Sequence, residues 1–218
     1  MSRAVLTISS KNYSSWSLRG WLLARLAGID FEEEVVAPDD PEVRAEMLLL
    51  SSSIRVPSLK NGAVKVWDTL AIAEYLNELR PDAGLLPKNA VARAHCRAIC
   101  GEMHSGFANL CSALPMNLRG HFPGFRVWGR AQADIDRIVA IWRECLRLCS
   151  GPFLFGTQRT MADAMYAPVT TRFATYDVKL DSACAAYCIE IARMPEMVEW
   201  TDAAKKEPIG IEELEVEF

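Results

Sequence analysis

The sequence predicts two dissimilar parts: a small α/β domain of βαβαββα order over residues 1–82 and an all-α helical domain over 89–218, joined by a linker at 83–88. Three observations predict it. Strand-type and helix-type apolar patterns alternate through the first part. Asn61-Gly62, the strongest short hairpin signal, is flanked by Val56-Pro57-Ser58-Leu59 and Val64-Lys65-Val66. Beyond Pro81 and Pro87, nearly every segment keeps a helical period.

Ala4 to Ile8 is a short apolar run of strand composition. Ser14-Ser15 then precedes a helical pattern from Leu18 to Leu26, which Gly28 stops. Phe31 to Val36 reads as a second strand, and Pro41 to Leu50 as a second helix with Pro41 in its first turn. Val56-Pro57-Ser58-Leu59 and Val64-Lys65-Val66 flank the hairpin turn, and a third helix runs from Asp68 to Leu79. This order predicts a mixed sheet. In the second part, long helices are expected over 90–113, 127–149 and 160–176, with shorter ones over 183–192 and 195–206. A loop with His121 and Pro123 fills the interval from Gly120 to Gly124.

Composition narrows the function classes. With 218 residues, half of them apolar, the chain can bury substantial cores. A net charge of −4 and the lack of a lysine-arginine stripe argue against a nucleic-acid partner. No apolar run approaches the roughly 20 residues of a membrane span. The polar N-terminus does not read as a secretory signal, so a cytoplasmic location without membrane association is expected. Seven cysteines, an odd number, are then expected as reduced thiols. Six form the i,i+4 pairs Cys96/Cys100, Cys145/Cys149 and Cys184/Cys188. Each pair shares a helix face, but histidine and carboxylate partners at ligand spacing are missing, so core residues are expected rather than a metal site.

Four local sequences occur in order: Ser14-Ser15-Trp16-Ser17-Leu18-Arg19 followed by Gly28-Ile29-Asp30; Arg55-Val56-Pro57-Ser58-Leu59; Trp67-Asp68-Thr69-Leu70-Ala71-Ile72-Ala73-Glu74-Tyr75-Leu76; and Thr160-Met161-Ala162-Asp163. On these motifs the chain resembles the cytosolic glutathione transferases over essentially its whole length. The serine-type, zeta-like members, whose first helix opens Ser-Ser-x-Ser-x-Arg, are the most similar in pattern. The resemblance implies a thioredoxin-like first domain and glutathione as co-substrate. It also implies a small-molecule electrophile as the second substrate, a detoxification role and a two-fold homodimer.

The motifs supply what glutathione needs. Where the chain enters the first helix at Ser14-Ser15, free amides and the positive end of the helix dipole favour an anion. A serine hydroxyl there can donate to sulfur and hold the thiol as its nucleophilic thiolate. The resemblance gives that role to Ser14, with Ser15 as second candidate; serine at this position also simply caps helices. Trp16, where zeta-like members often carry cysteine, would lie against the cofactor. Pro57 would follow a cis bond that turns the Val56 amide and carbonyl toward the cysteinyl unit; a trans proline opening an edge strand is the other reading. By resemblance Thr69 holds the γ-glutamyl carboxylate and Asp68 faces the α-ammonium, although the pair also reads as a helix cap. Arg55 is the candidate for the glycine carboxylate, or a solvated arginine. Thr160-x-x-Asp163 is a capping box with a structural role.

An acceptor-substrate pocket is expected between the domains, walled by the long helices around 100–120 and 165–176; Met103, Phe107, Leu110, Met116 and Phe173 are candidates to line it, although a Met/Phe stripe at helical spacing is more often core. Zeta-type enzymes carry a substrate-binding arginine on the Thr160 helix; here the nearest, Arg172, stands about a turn early. His104 and His121 are candidate acid-base groups, although lone histidines usually serve no such role. Glutathione transfer to an electrophile ranks above a maleylacetoacetate-type isomerisation. A non-catalytic ligand-binding protein of the same fold is the other class. Thiol-disulfide exchange lacks an agent, because no cysteine precedes Cys96.

Overall fold

A computed structural model describes residues 3–36 and 56–207. The expected helix over 41–50 and the candidate Arg55 lie outside the described residues. Four strands form one sheet: β1 (Ala4–Ile8), β2 (Phe31–Val35), β3 (Ser58–Asn61) and β4 (Val64–Trp67). With them are α1 (Ser15–Leu26) and α2 (Thr69–Leu79). Helices α3 (Ala90–Ser105), α4 (Ala108–Ala113), α5 (Gly129–Leu148), α6 (Met161–Thr175), α7 (Ser182–Arg193) and α8 (Pro195–Ala204) follow.

The sheet order is β2-β1-β3-β4. Strand β1 runs parallel to β2, with Ala4 opposite Phe31 and Ile8 opposite Val35, and antiparallel to β3, with Leu6 opposite Leu59. This is the expected mixed sheet. Ala4, Leu6 and Ile8 alternate inward and are buried, so the period of two fixes which face of β1 meets the helices. In the β3–β4 hairpin Gly62 has φ 60°, a conformation that glycine adopts without a Cβ penalty.

The expected helix over 90–113 is two helices. Gly106 leaves helical geometry and Phe107 takes φ 61°, so the chain turns before α4 begins. The left-handed Phe107 carried no signal, because bulky residues rarely adopt it.

Helix α6 is the buried axis of the helical part. Its capping box is closed: Asp163 accepts from the Thr160 amide at 2.7 Å while Thr160 caps in return. Asp163 also accepts from the Leu154 amide at 3.1 Å and the Tyr187 hydroxyl at 3.3 Å. Burial pushes its pKa up against the pull of these three donors and of the Thr160 hydroxyl, which donates to it at 3.1 Å. Around α6 pack Trp142, which meets the Tyr166, Phe173 and Tyr187 rings at 5.9, 5.5 and 5.0 Å. Cys96, Cys100, Cys145 and Cys184 are buried in this core, and burial pushes the thiols of Cys145, Cys184 and Cys188 up to about 12.

Sheet and helical parts share one core, with α1 between them. Arg19 of α1 donates to the Met165 carbonyl at 2.8 Å, the Met161 amide donates to the Leu85 carbonyl at 2.7 Å, and Trp21 packs on Trp200. Among the described residues no helix is long and apolar enough to cross a membrane.

Candidate active site

The N-terminus of α1 is the first part of the site. Ser14 is its N-cap: the hydroxyl oxygen accepts from the Ser17 amide at 3.2 Å and the hydroxyl donates to Ser17 Oγ at 3.0 Å. Ser17 is buried in the first turn, where its hydroxyl accepts from the Ser9 amide at 2.9 Å and so ties the helix to the end of β1. Ser15, the first helical residue, accepts from Arg19 Nη1 at 3.4 Å. Both serines are almost fully buried, which strengthens any charge interaction made at this helix end.

Behind α1 sits the loop that opens β3. The Val56–Pro57 bond is cis, and both residues are buried. Gly20 allows the approach: a Cβ on it would fall 2.5 Å from Pro57 Cβ. The helix therefore seats directly on the proline.

Asp68 and Thr69 form the third part. Asp68 caps α2, its Oδ1 accepting from the Leu70 amide at 2.8 Å and the Ala71 amide at 3.2 Å. It does so at φ 73°, a region costing a non-glycine residue about 1–3 kcal/mol, the kind of outlier that clusters at ligand sites. Its other oxygen, Oδ2, pairs with Nε2 of His104 from α3. Thr69, 1% exposed, holds a hydroxyl that has no hydrogen-bond partner among the described residues. An orphaned buried hydroxyl at a helix N-terminus fits an anionic group of a ligand.

Trp16 joins the first and third parts. The Arg19 guanidinium lies 4.6 Å from its ring centroid, and the His104 ring meets it edge-on at 5.2 Å. Ser14, Ser15, Trp16, His104, Asp68 and Thr69 are thus linked through direct contacts around the ends of α1 and α2.

Known proteins bear on this arrangement. A model of the glutathione S-transferase N-terminal domain matches residues 13–79, and one of the C-terminal domain matches residues 91–203. The chain belongs to the glutathione S-transferase family. It is 29% identical over 156 residues to a probable maleylacetoacetate isomerase of Caenorhabditis elegans, covering 71% of this chain and 72% of that protein. To the maleylacetoacetate isomerase of Rattus norvegicus it is 28% identical over 184 residues, 82% of each chain. A Burkholderia glutathione transferase homolog solved with bound glutathione has the same fold, at TM-score 0.68 and 20% identity, covering 95% of this chain and all of that one. So has a maleylacetoacetate isomerase of Anaeromyxobacter dehalogenans, with bound dicarboxyethyl glutathione and citrate, at TM-score 0.68 and 24% identity over 95% and 96% of the chains. The expected fold class, a thioredoxin-like α/β part followed by helices, is that of the glutathione S-transferases.

Not every candidate residue stands at this candidate site. Met103, Phe107, Leu110, Met116 and Phe173 are all buried members of the core rather than an open wall. Arg172 is 2% exposed and spends its guanidinium on the Leu114 carbonyl at 2.8 Å and the Pro168 carbonyl at 3.3 Å. It holds the chain after α4 against α6. His121 lines a cavity of about 790 Å³ with Phe122, Phe125 and Trp128, all in the connection before α5 and away from the serines in the chain. His104, by contrast, reaches Asp68 across 36 residues, a pairing that no local pattern announces.

Proposed function

We propose that the chain binds glutathione and uses the Ser14 hydroxyl to hold its thiol as thiolate for attack on a small electrophile. The observation that carries this is the orphaned, buried Thr69 hydroxyl at the N-terminus of α2. In this reading it takes the γ-glutamyl carboxylate, with Asp68 facing the ammonium and the Val56 backbone pairing with the cysteinyl unit. Arg55 remains the candidate for the glycine carboxylate, and Trp16 packs beside the ligand.

Ser14 suits the thiol for a geometric reason. Its oxygen is already held by the Ser17 amide, while a hydroxyl proton turns about the C–O bond. Redirected from Ser17 Oγ, that proton meets the sulfur without loss of the cap. Ser15 and the dipole of α1 supply further stabilisation. The thiolate then forms a C–S bond to the electrophilic carbon as the displaced group leaves with its electron pair; at an activated double bond, the resulting enolate takes a proton instead.

A second reading, glutathione-dependent cis-trans isomerisation, is favoured by the curated relatives, which are named maleylacetoacetate isomerases. There the thiolate adds to the cis double bond, the new single bond rotates, and the thiolate is expelled, so glutathione returns unchanged. Arg172 is 2% exposed and hydrogen-bonded to two carbonyls, so it does not present its guanidinium openly to a dicarboxylate substrate, which keeps transfer first. Assays of the full chain with glutathione and either an activated aryl halide or a cis-unsaturated diketo acid separate the two. Conjugation of the first supports transfer; turnover of the second without glutathione consumption supports isomerisation; retention on immobilised glutathione with neither supports a binding protein. The family resemblance further implies a homodimer. Edge strand β4, with Val64 and Trp67 exposed, is in keeping with one, and sedimentation tests it.

A further inference from the structure

Residues 9–13, just ahead of the helix-opening serine, are shaped from outside their own strand–helix unit. The Glu207 carboxylate, beyond the end of α8, accepts from Ser10 Oγ at 2.7 Å, from the Asn12 amide at 3.1 Å and from the Lys11 amide. Trp200 of α8 donates its indole N–H to the Lys11 carbonyl at 2.8 Å. From the connection after α4, Asn117 Oδ1 accepts from Asn12 Nδ2 at 3.0 Å, and the Arg119 amide donates to Asn12 Oδ1 at 3.1 Å. The Arg119 guanidinium bridges the Tyr13 hydroxyl at 3.0 Å and the Glu207 carbonyl at 3.2 Å. Successive amides converging on one carboxylate form a backbone anion nest, filled here by a side chain 195 residues away from Asn12.

Ser10 passes this constraint to the helix end. Its carbonyl accepts from the Ser14 amide at 3.0 Å, and its hydroxyl accepts from the amides of Asn12 at 3.1 Å and Tyr13 at 3.2 Å while donating to Glu207. The nest and the N-cap therefore share one tight turn. Without the carboxylate, the Lys11 amide and the Ser10 hydroxyl lose their acceptor at a partly buried place, and the turn is free to shift toward another.

We propose that Glu207 is a positioning residue for thiol activation: it sets the β1–α1 turn so that the Ser14 hydroxyl stands where the glutathione sulfur arrives. The role rests on the reading of Ser14 as the thiol's hydrogen-bond donor. Glu207 itself contacts no substrate in that reading. It acts through Ser10, and misplacement of catalytic groups by small amounts is costly.

The test uses full-length Glu207→Ala and Glu207→Gln. Glutamine keeps the size of the side chain but points an NH₂ at donors, so both variants are expected to fall together. The readouts are the titration of the bound glutathione thiol, followed by thiolate ultraviolet absorbance, and kcat against pH. Expected are a kcat lower by about tenfold, or about 1.4 kcal/mol, and a titration midpoint about one pH unit higher. The KM for glutathione should stay within about threefold of wild type. Added formate, a free carboxylate of the size of the nest, should restore Glu207→Ala but not Glu207→Gln, where the side chain still fills the nest. Ser14→Ala serves as the reference. If Ser14→Ala shifts the titration and both Glu207 variants titrate as wild type, the role of Glu207 is overturned while the serine reading stands. If Ser14→Ala itself titrates as wild type, the serine reading falls first and this role falls with it.

Discussion

Ser14 and Thr69 carry different parts of the proposed chemistry, and single substitutions separate them. Ser14→Ala removes both a cap and a thiolate donor. It should lower kcat by about a hundredfold, in the range of lost preorganised donors, with little change in the KM for glutathione. Steady-state kinetics at saturating electrophile checks this. Thr69→Val keeps shape and removes a hydroxyl that is unpaired among the described residues. Deleting an unpaired buried hydroxyl costs the fold nothing. The KM for glutathione should rise about tenfold, as for a lost hydrogen bond to a charged group, while the melting temperature holds or rises. The helix caps were readable because cap chemistry is local: Ser14, Asp68 and Thr160 stand at the helix starts that their residue types favour. The partners of Asp68 and Ser10, His104 and Glu207, were not readable, since 36 and 197 residues separate them and each pairing depends on how the helices pack.

At the scale of elements, α1 connects the sheet to the helical core, and its fit depends on one missing methyl group. Gly20→Ala would bring a Cβ within 2.5 Å of Pro57 Cβ, so helix and loop must part. A loss of about 1–3 kcal/mol by denaturant unfolding is expected, together with weaker glutathione binding. Helix α7 offers an electrostatic case. Its N-cap Asp181 is held at about 2, below the ordinary 3.8, by the Cys184 amide first and then by Arg143. A depressed carboxylate pKa gives stability that is fully present above the ordinary value and lost as pH falls through the folded one. Asp181→Ala should therefore cost about 1 kcal/mol at neutral pH. Its melting temperature should approach that of wild type between pH 4 and 2. Strand and hairpin placement followed from alternation and Asn61-Gly62. The break between α3 and α4 did not, because it turns on a left-handed φ at Phe107, a buried bulky residue of a kind that rarely adopts one.

For the whole molecule, one continuous core running from β1 through α6 to α8 means that site geometry and stability are coupled. The two-part order was legible because the change of apolar period after residue 80 is a property of the sequence itself. The acceptor site was not. The Met/Phe stripe is core, as such spacing more often is, and which helical faces could border a substrate is decided only by packing. Burial also silences the cysteines: with thiols at about 12, Cys145, Cys184 and Cys188 hold almost no thiolate at neutral pH. Native protein should modify slowly with a thiol-specific disulfide reagent at these positions and rapidly once unfolded, with peptide mapping as the readout.

A crystal structure of the full chain with glutathione tests the cradle most directly. The expected result places the sulfur within hydrogen-bond reach of Ser14 Oγ and the γ-glutamyl carboxylate on the Thr69 hydroxyl and amide. Glutathione bound elsewhere, or bound with Thr69 still unpaired and the sulfur remote from both serines, would contradict it.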